Sequence, residues 1–91
     1  MPDRTWTILV VEAEPSAQNL IADCLDQDYR VLTAPSGQAA LEILTAEESD
    51  LVLCDQMLPD MTGVKLFSEI RIPGFAVYGH TNAGWRRQPI E

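Results

Sequence analysis

The sequence predicts an α/β domain built on a parallel sheet, and three observations carry that reading. Short apolar runs at Trp6–Val11, Asp28–Thr33, Leu51–Cys54 and Phe75–Tyr78 alternate with stretches whose apolar residues recur at helical spacing. The strongest runs are continuous rather than alternating, as in strands covered by helices on both faces. Turn residues such as Pro15, Pro35-Ser36-Gly37 and Pro59 to Gly63 punctuate the elements. Strands alternating with helices imply βαβ units, right-handed crossovers and parallel pairing.

Trp6-Thr7-Ile8-Leu9-Val10-Val11 is apolar and β-branched, so it reads as a buried strand, and Glu12-Ala13-Glu14-Pro15 follows it at once. Pro15 suits the first turn of a helix, where its missing N–H would have had no partner. Ala17, Leu20, Ile21, Cys24 and Leu25 form one stripe of that helix, predicted to pack on the sheet. Asp28 to Thr33 reads as a shorter strand near the edge, because Arg30 and Thr33 interrupt it. Ser36 is the expected N-cap of a helix over Gln38 to Ala46, with Ala40, Leu41, Ile43 and Leu44 facing the core. Leu51-Val52-Leu53-Cys54 is the third strand, ending in Asp55. Thr62 is expected to cap a third helix over Gly63 to Arg71, with Val64, Phe67 and Ile70 in line. Phe75 to Tyr78 makes a fourth short strand. Beyond Gly79 the period fails, and residues 80–91 read as an aperiodic tail to a domain over 1–79.

Composition limits the functions available. A chain of 91 residues suits one domain, and a net charge of −8 with only six Lys and Arg argues against binding a phosphate backbone. No window approaches the roughly 18 apolar residues of a membrane span, and Met1 to Trp6 lacks the pattern of a leader, so a cytoplasmic protein is expected. Cys24 and Cys54 cannot make a disulfide framework; both sit among apolar neighbours, where a buried structural thiol is the expected role. His80, the only histidine, is expected to be a loop residue rather than a ligand or base.

The chemistry lies in carboxylates. Asp55 stands at the carboxyl end of the third strand, where open α/β sheets place ligands, although Asp also opens turns. Glu12 and Glu14 follow the first strand. If the two strands are neighbours, these groups converge on an acidic cleft suited to a hard cation such as Mg²⁺, with Asp available as a nucleophile toward a phosphoryl donor. Solvated loop carboxylates are the alternative.

Three segments then resemble, in order and spacing, the response-regulator receiver domain of two-component signalling, a CheY-like superfamily. They are Ile8 to Pro15, Val31 to Leu41 and Asp50 to Gly63, within a match covering about residues 5–79. The resemblance implies a flavodoxin-like, three-layer parallel sheet. It lacks the family's last strand and last two helices, which leaves a strand order of 2-1-3-4. It implies that Asp55 is the phosphoacceptor of a sensor histidine kinase. It also implies that Glu12, Asp55 and the backbone carbonyl of Met57 hold Mg²⁺, with Glu14 as a further candidate.

Two departures matter. Ala13 occupies the position of a usual metal ligand and has no oxygen to offer, so weak Mg²⁺ binding is expected. Tyr78 occupies the switch position, where the family carries a small hydroxyl; shifting the alignment by one puts Gly79 there instead. The shortened fold is expected to leave the fourth strand as an exposed edge, to be covered by a second copy or another partner. The leading expectation is a phosphorelay receiver with no enzymatic activity beyond its own phosphorylation. The alternatives are a phosphorylation-independent pseudo-receiver used for dimerisation or docking, and a truncated, non-functional receiver. A phosphatase-like enzyme with an Asp nucleophile ranks third, because no general acid or base stands out near the cleft.

Overall fold

The computed structural model describes residues 5–81 and 84–85, with the backbone alone for 80, 81, 84 and 85. In chain order the elements are β1 (Thr7–Val11), α1 (Pro15–Leu25), β2 (Arg30–Ala34), α2 (Gly37–Ala46), β3 (Leu51–Asp55), α3 (Gly63–Ser68) and β4 (Gly74–Tyr78). Two short strands follow, β5 (His80–Thr81) and β6 (Gly84–Trp85). The first four strands form one sheet of order β2-β1-β3-β4, every neighbouring pair parallel. Among the described residues this is the flavodoxin-like arrangement over its first four strands, with three helices. Right-handed crossovers carry the chain from β1 outward to β2 over one face, and from β2 through β3 to β4 over the other. Helix α1 therefore lies opposite α2 and α3.

Strand β1 is central and buried along its whole length, which explains why its run is continuous in hydrophobicity. On the face of α2 and α3, Leu9, Val11, Val52 and Cys54 pack with Ala34, Ala40 and Leu66 into the main core. The face under α1 is covered less well: Ile8 and Val10 are buried, but Leu51 and Leu53 of β3 are only half-buried. Helix α1 contributes no fully buried residue. The predicted α1 stripe is thus only half engaged, with Ala17, Ile21 and Leu25 half-buried and Leu20 66% exposed. Cys24 is exposed, against the expectation of a buried thiol, while Cys54 is buried. Helical spacing gave the α1 face correctly but not how much sheet lay beneath it.

Element ends also moved. The N–H groups of Asp28 and Tyr29 bond back to the Leu25 carbonyl, so β2 begins only at Arg30, whose N–H meets the Trp6 carbonyl. Helix α3 stops at Ser68 instead of Arg71. The N–H of Glu69 reaches the Leu66 carbonyl and that of Ile70 the Phe67 carbonyl, three-residue steps that close the last turn. Pro73 then disfavours helical backbone at Ile72. The stripe of α3 is correspondingly different: Leu66 is fully buried and Gly63 sits against the sheet, whereas Val64 and Phe67 are 48% and 45% exposed. Phe67 packs its ring on Phe75 of β4, with centroids 4.9 Å apart.

Strand β4 is an edge of this sheet among the described residues, and all its residues are half-buried. Within the stretch read as an aperiodic tail, β5 and β6 pair antiparallel, His80 with Trp85 and Thr81 with Gly84. Two-residue strands are too short to leave a period in the sequence. Residues 82–83 and 86–91 of that stretch, and residues 1–4 at the start, lie outside the described residues. No helix among the described residues is long and apolar enough to cross a membrane.

Candidate functional site

The register of the sheet assembles the site. Val11 of β1 pairs with Cys54 of β3, so the next residues, Glu12 and Asp55, fall level; Asp55 in turn pairs with Tyr78 of β4. Side chains level with one another on parallel neighbours point to the same face. Glu12, Asp55 and Tyr78 therefore form one row across the carboxyl ends of three adjacent strands, on the face of α1. Open α/β sheets hold their ligands at such an edge, where the chain departs to opposite sides.

Glu12 is 5% exposed, and its carboxylate is fully engaged. Oε1 accepts a hydrogen bond from the Tyr78 hydroxyl at 2.5 Å, and Oε2 accepts from the Glu14 N–H at 3.1 Å. Its carbonyl accepts from Gln18 Nε2 at 2.9 Å, and its N–H donates to the Ala34 carbonyl at 2.9 Å. Burial, together with the negative charge of Glu12 and Asp55, raises the pKa of the Tyr78 phenol well above its ordinary value. It stays a protonated donor at neutral pH. Burial first, then the charges of Asp55 and Glu12, push the Cys54 thiol up to about 12. That suits a structural role rather than a nucleophilic one.

Asp55 is half-buried, and its Oδ1 accepts from the Met57 N–H at 3.2 Å. The loop after it is tied at several points. Gln56 donates its N–H to the Tyr78 carbonyl at 2.6 Å, and its Oε1 accepts from the Val64 N–H at 3.1 Å. Met57 and Thr62 face each other across an isolated bridge, and Leu58 donates to the Met61 carbonyl. Thr62 Oγ1 caps α3 by accepting from the Lys65 N–H at 3.0 Å.

Gly63 is the position at which this loop meets the sheet. A Cβ there would lie 2.9 Å from the Asp55 carbonyl oxygen and 3.1 Å from Val77 Cγ1, and the backbone atom cannot yield without moving the strand end. Gly63→Ala is expected to destabilise the protein by about 1–3 kcal/mol, the usual cost of forced overpacking. Urea denaturation measures this, and an unchanged midpoint would contradict the close approach.

Two carboxylates serve as caps. Glu14 Oε1 accepts from the Ala17 N–H and the Ser16 hydroxyl, each at 2.8 Å, and these bonds hold the exposed Glu14 carboxyl below its ordinary value. Its side chain is thereby turned to the start of α1. Asp60 accepts from the Gly37 and Gln38 N–H groups, each at 2.9 Å, and its pKa is lowered by those two bonds. It therefore joins the loop after Asp55 to the start of α2, where Ser36 Oγ also accepts from the Ala39 N–H at 3.1 Å. Sequence reasoning singled out Glu14 for the cleft and did not single out Asp60 at all. Pro15 in the first turn of α1 puts Glu14 at the cap position, a local signal weakened because Glu is an uncommon N-cap, whereas the partners of Asp60 lie 22 and 23 residues away and no local pattern reveals them.

The residues present suit a partly hydrated Mg²⁺ held by one or two carboxylates: Glu12 and Asp55 are hard oxygen donors on adjacent strand ends. Ala13 adds no oxygen, and no group of three acidic, His or Cys residues that could hold a metal gathers among the described residues. An open groove of about 670 Å³ lies at the other end of the sheet, lined by Trp6, Leu44, Asp50, Ile70 and Ile72 among others. It includes none of Glu12, Asp55 and Tyr78, and its carboxylates, Glu47, Glu48, Asp50 and Glu69, form no group of three placed to hold a metal.

Comparison with known proteins agrees with the fold. The model of the response regulator receiver domain matches residues 8–81. The chain is 38% identical over 71 residues to the hydrogenase transcriptional regulatory protein HoxA of Cupriavidus necator, covering 78% of this chain and 15% of that protein. It is 41% identical over 64 residues to the sensor histidine kinase TmoS of Ectopseudomonas mendocina, covering 70% of this chain and 7% of that protein. The chain thus spans only a small part of these relatives. Among solved structures, the response regulator TrrA of Thermotoga maritima in complex with Mg²⁺–BeF superposes with a TM-score of 0.77 at 27% identity, covering 87% of this chain and 73% of that one.

Proposed function

The chain belongs to the response regulator receiver domain family, the receiving modules of two-component phosphorelay signalling, and from that premise we propose that Asp55 is its phosphoryl acceptor. The observation that carries this reading is the row of Glu12, Asp55 and Tyr78 created by the register of β1, β3 and β4. In the proposed reaction an Asp55 carboxylate oxygen attacks phosphorus, the bond from phosphorus to the donor's leaving group breaks, and an acyl phosphate forms. A sensor histidine kinase is the proposed donor, and the imidazole of its phosphohistidine is the leaving group once the phosphorus–nitrogen bond breaks. Glu12, Asp55 and the Met57 carbonyl would hold Mg²⁺, whose charge would offset that of the transferring phosphoryl group. The Met57 N–H already donates to Asp55 and helps orient the carboxylate.

The binding is proposed to be weak, since Ala13 contributes no ligand and Glu12 has both oxygens engaged. The same engagement favours a second reading, a pseudo-receiver that works by docking through its β4 edge without phosphorylation. Incubation with Mg²⁺ and phosphoramidate, followed by intact-mass measurement, separates the two. The acceptor reading expects one added phosphoryl group on the wild type and none on Asp55→Asn or without Mg²⁺. No increment on any of them would favour the pseudo-receiver.

A further inference from the structure

Tyr78 supplies more than a bulky residue at the switch position. Its hydroxyl donates to Glu12 Oε1, while the Glu14 N–H occupies Oε2. A buried carboxylate is thereby satisfied without a cation, and no buried polar side chain among the described residues is left without a partner. The strand order adds a second fact. Tyr78 and Glu12 lie on β4 and β1, with β3 between them. Two interstrand spacings separate their backbones, about 10 Å. The phenol can reach Glu12 only by extending across the position of Asp55, the middle residue of the row.

We propose, building on the acceptor reading above, that Tyr78 gates the site: its hydroxyl and Mg²⁺ compete for the Glu12 carboxylate, and loading requires the phenol to leave both Glu12 and the approach to Asp55. Tyr78 is then a specificity-determining residue that sets the cation concentration at which the site becomes competent. By linkage, whatever the hydrogen bond contributes to the closed arrangement is subtracted from the affinity for the cation. A neutral hydroxyl can stabilise the carboxylate without metal but cannot replace the charge a phosphoryl group requires. The closed form is therefore stable and unreactive.

The test is a Mg²⁺ titration of the whole chain and of Tyr78→Phe, which keeps the ring and its packing. The backbone amides of Glu14 and Met57, donors to Glu12 and Asp55, report binding by their NMR shifts. Tyr78→Phe is expected to bind Mg²⁺ about 10- to 100-fold more tightly, the equivalent of one hydrogen bond to a charged group. In the wild type the tyrosine near-UV absorption should change in step with the amide shifts, and in the variant that change should vanish. Tighter binding is an outcome that mere loss of stability would not produce. Equal affinity in the two proteins overturns the gate and leaves the acceptor site standing. No amide response in either protein overturns the gate and the metal site together.

Discussion

Leu66→Ala is expected to destabilise the protein by about 2–5 kcal/mol, the range for removing a fully buried leucine and leaving a cavity. Leu66 is the one side chain of α3 that is completely buried, in the cluster with Leu9, Val52 and Cys54. Helix α3 has six residues and lacks the length to be stable alone, so its hold on the sheet depends on that contact. Small domains are stable by roughly 5–15 kcal/mol, and the α1 face adds little cover here, so the loss is a large fraction of the total. Val64→Ala on the same helix removes a side chain 48% exposed and should cost well under half as much. Urea denaturation of both variants checks the ranking, and equal costs would contradict the burial of α3. The effect should also reach the site, because α3 starts at Gly63, against the Asp55 carbonyl.

Ala13→Asp is expected to tighten Mg²⁺ binding about tenfold, equivalent to about 1.4 kcal/mol. Ala13 follows Glu12 directly, at the carboxyl end of β1 and beside the row of site residues. A carboxylate there would add a third negative group to the donors Glu12 and Asp55, which favours a hard cation. Without metal the same change should lower stability, since neighbouring carboxylates repel. Added Mg²⁺ should then raise the melting temperature more in the variant than in the wild type, by mass action on the folded state. Calorimetric titration gives the affinities, and an unchanged Mg²⁺ affinity would mean that the cation site lies elsewhere.

Much of this was legible in the residues, for identifiable reasons. The continuous apolar run of β1 announced a strand buried on both faces, and β1 is buried throughout. Ser36 and Thr62 announced helix starts because their hydroxyls accept N–H bonds three residues on, at Ala39 and Lys65. The receiver family could be recognised because its three motifs fall at the ends of strands, where spacing along the chain is fixed by the sheet. What was not legible depended on what lies across space. Helical spacing identified the α1 stripe, but Leu20 and Cys24 are exposed, and a helical period alone does not say how much of a stripe meets the sheet. The stripe of α3 was misread because Gly63 and Leu66, not Val64 and Phe67, are the residues buried against the sheet, and Ile70 lies beyond the helix end at Ser68. Asp60 clamps the start of α2 from the loop after β3, and Tyr78 meets Glu12 from 66 residues away; no local pattern encodes either bond.

The central claim, that Asp55 is the acceptor, is tested most directly by locating the phosphoryl group. Sodium borohydride reduces an aspartyl phosphate to homoserine and leaves free carboxylates intact, so tandem mass spectrometry after treatment with phosphoramidate and borohydride marks the modified residue. The account predicts homoserine at position 55 in the Mg²⁺-treated wild type. Homoserine at another aspartate, or an increment that persists in Asp55→Asn, would contradict it.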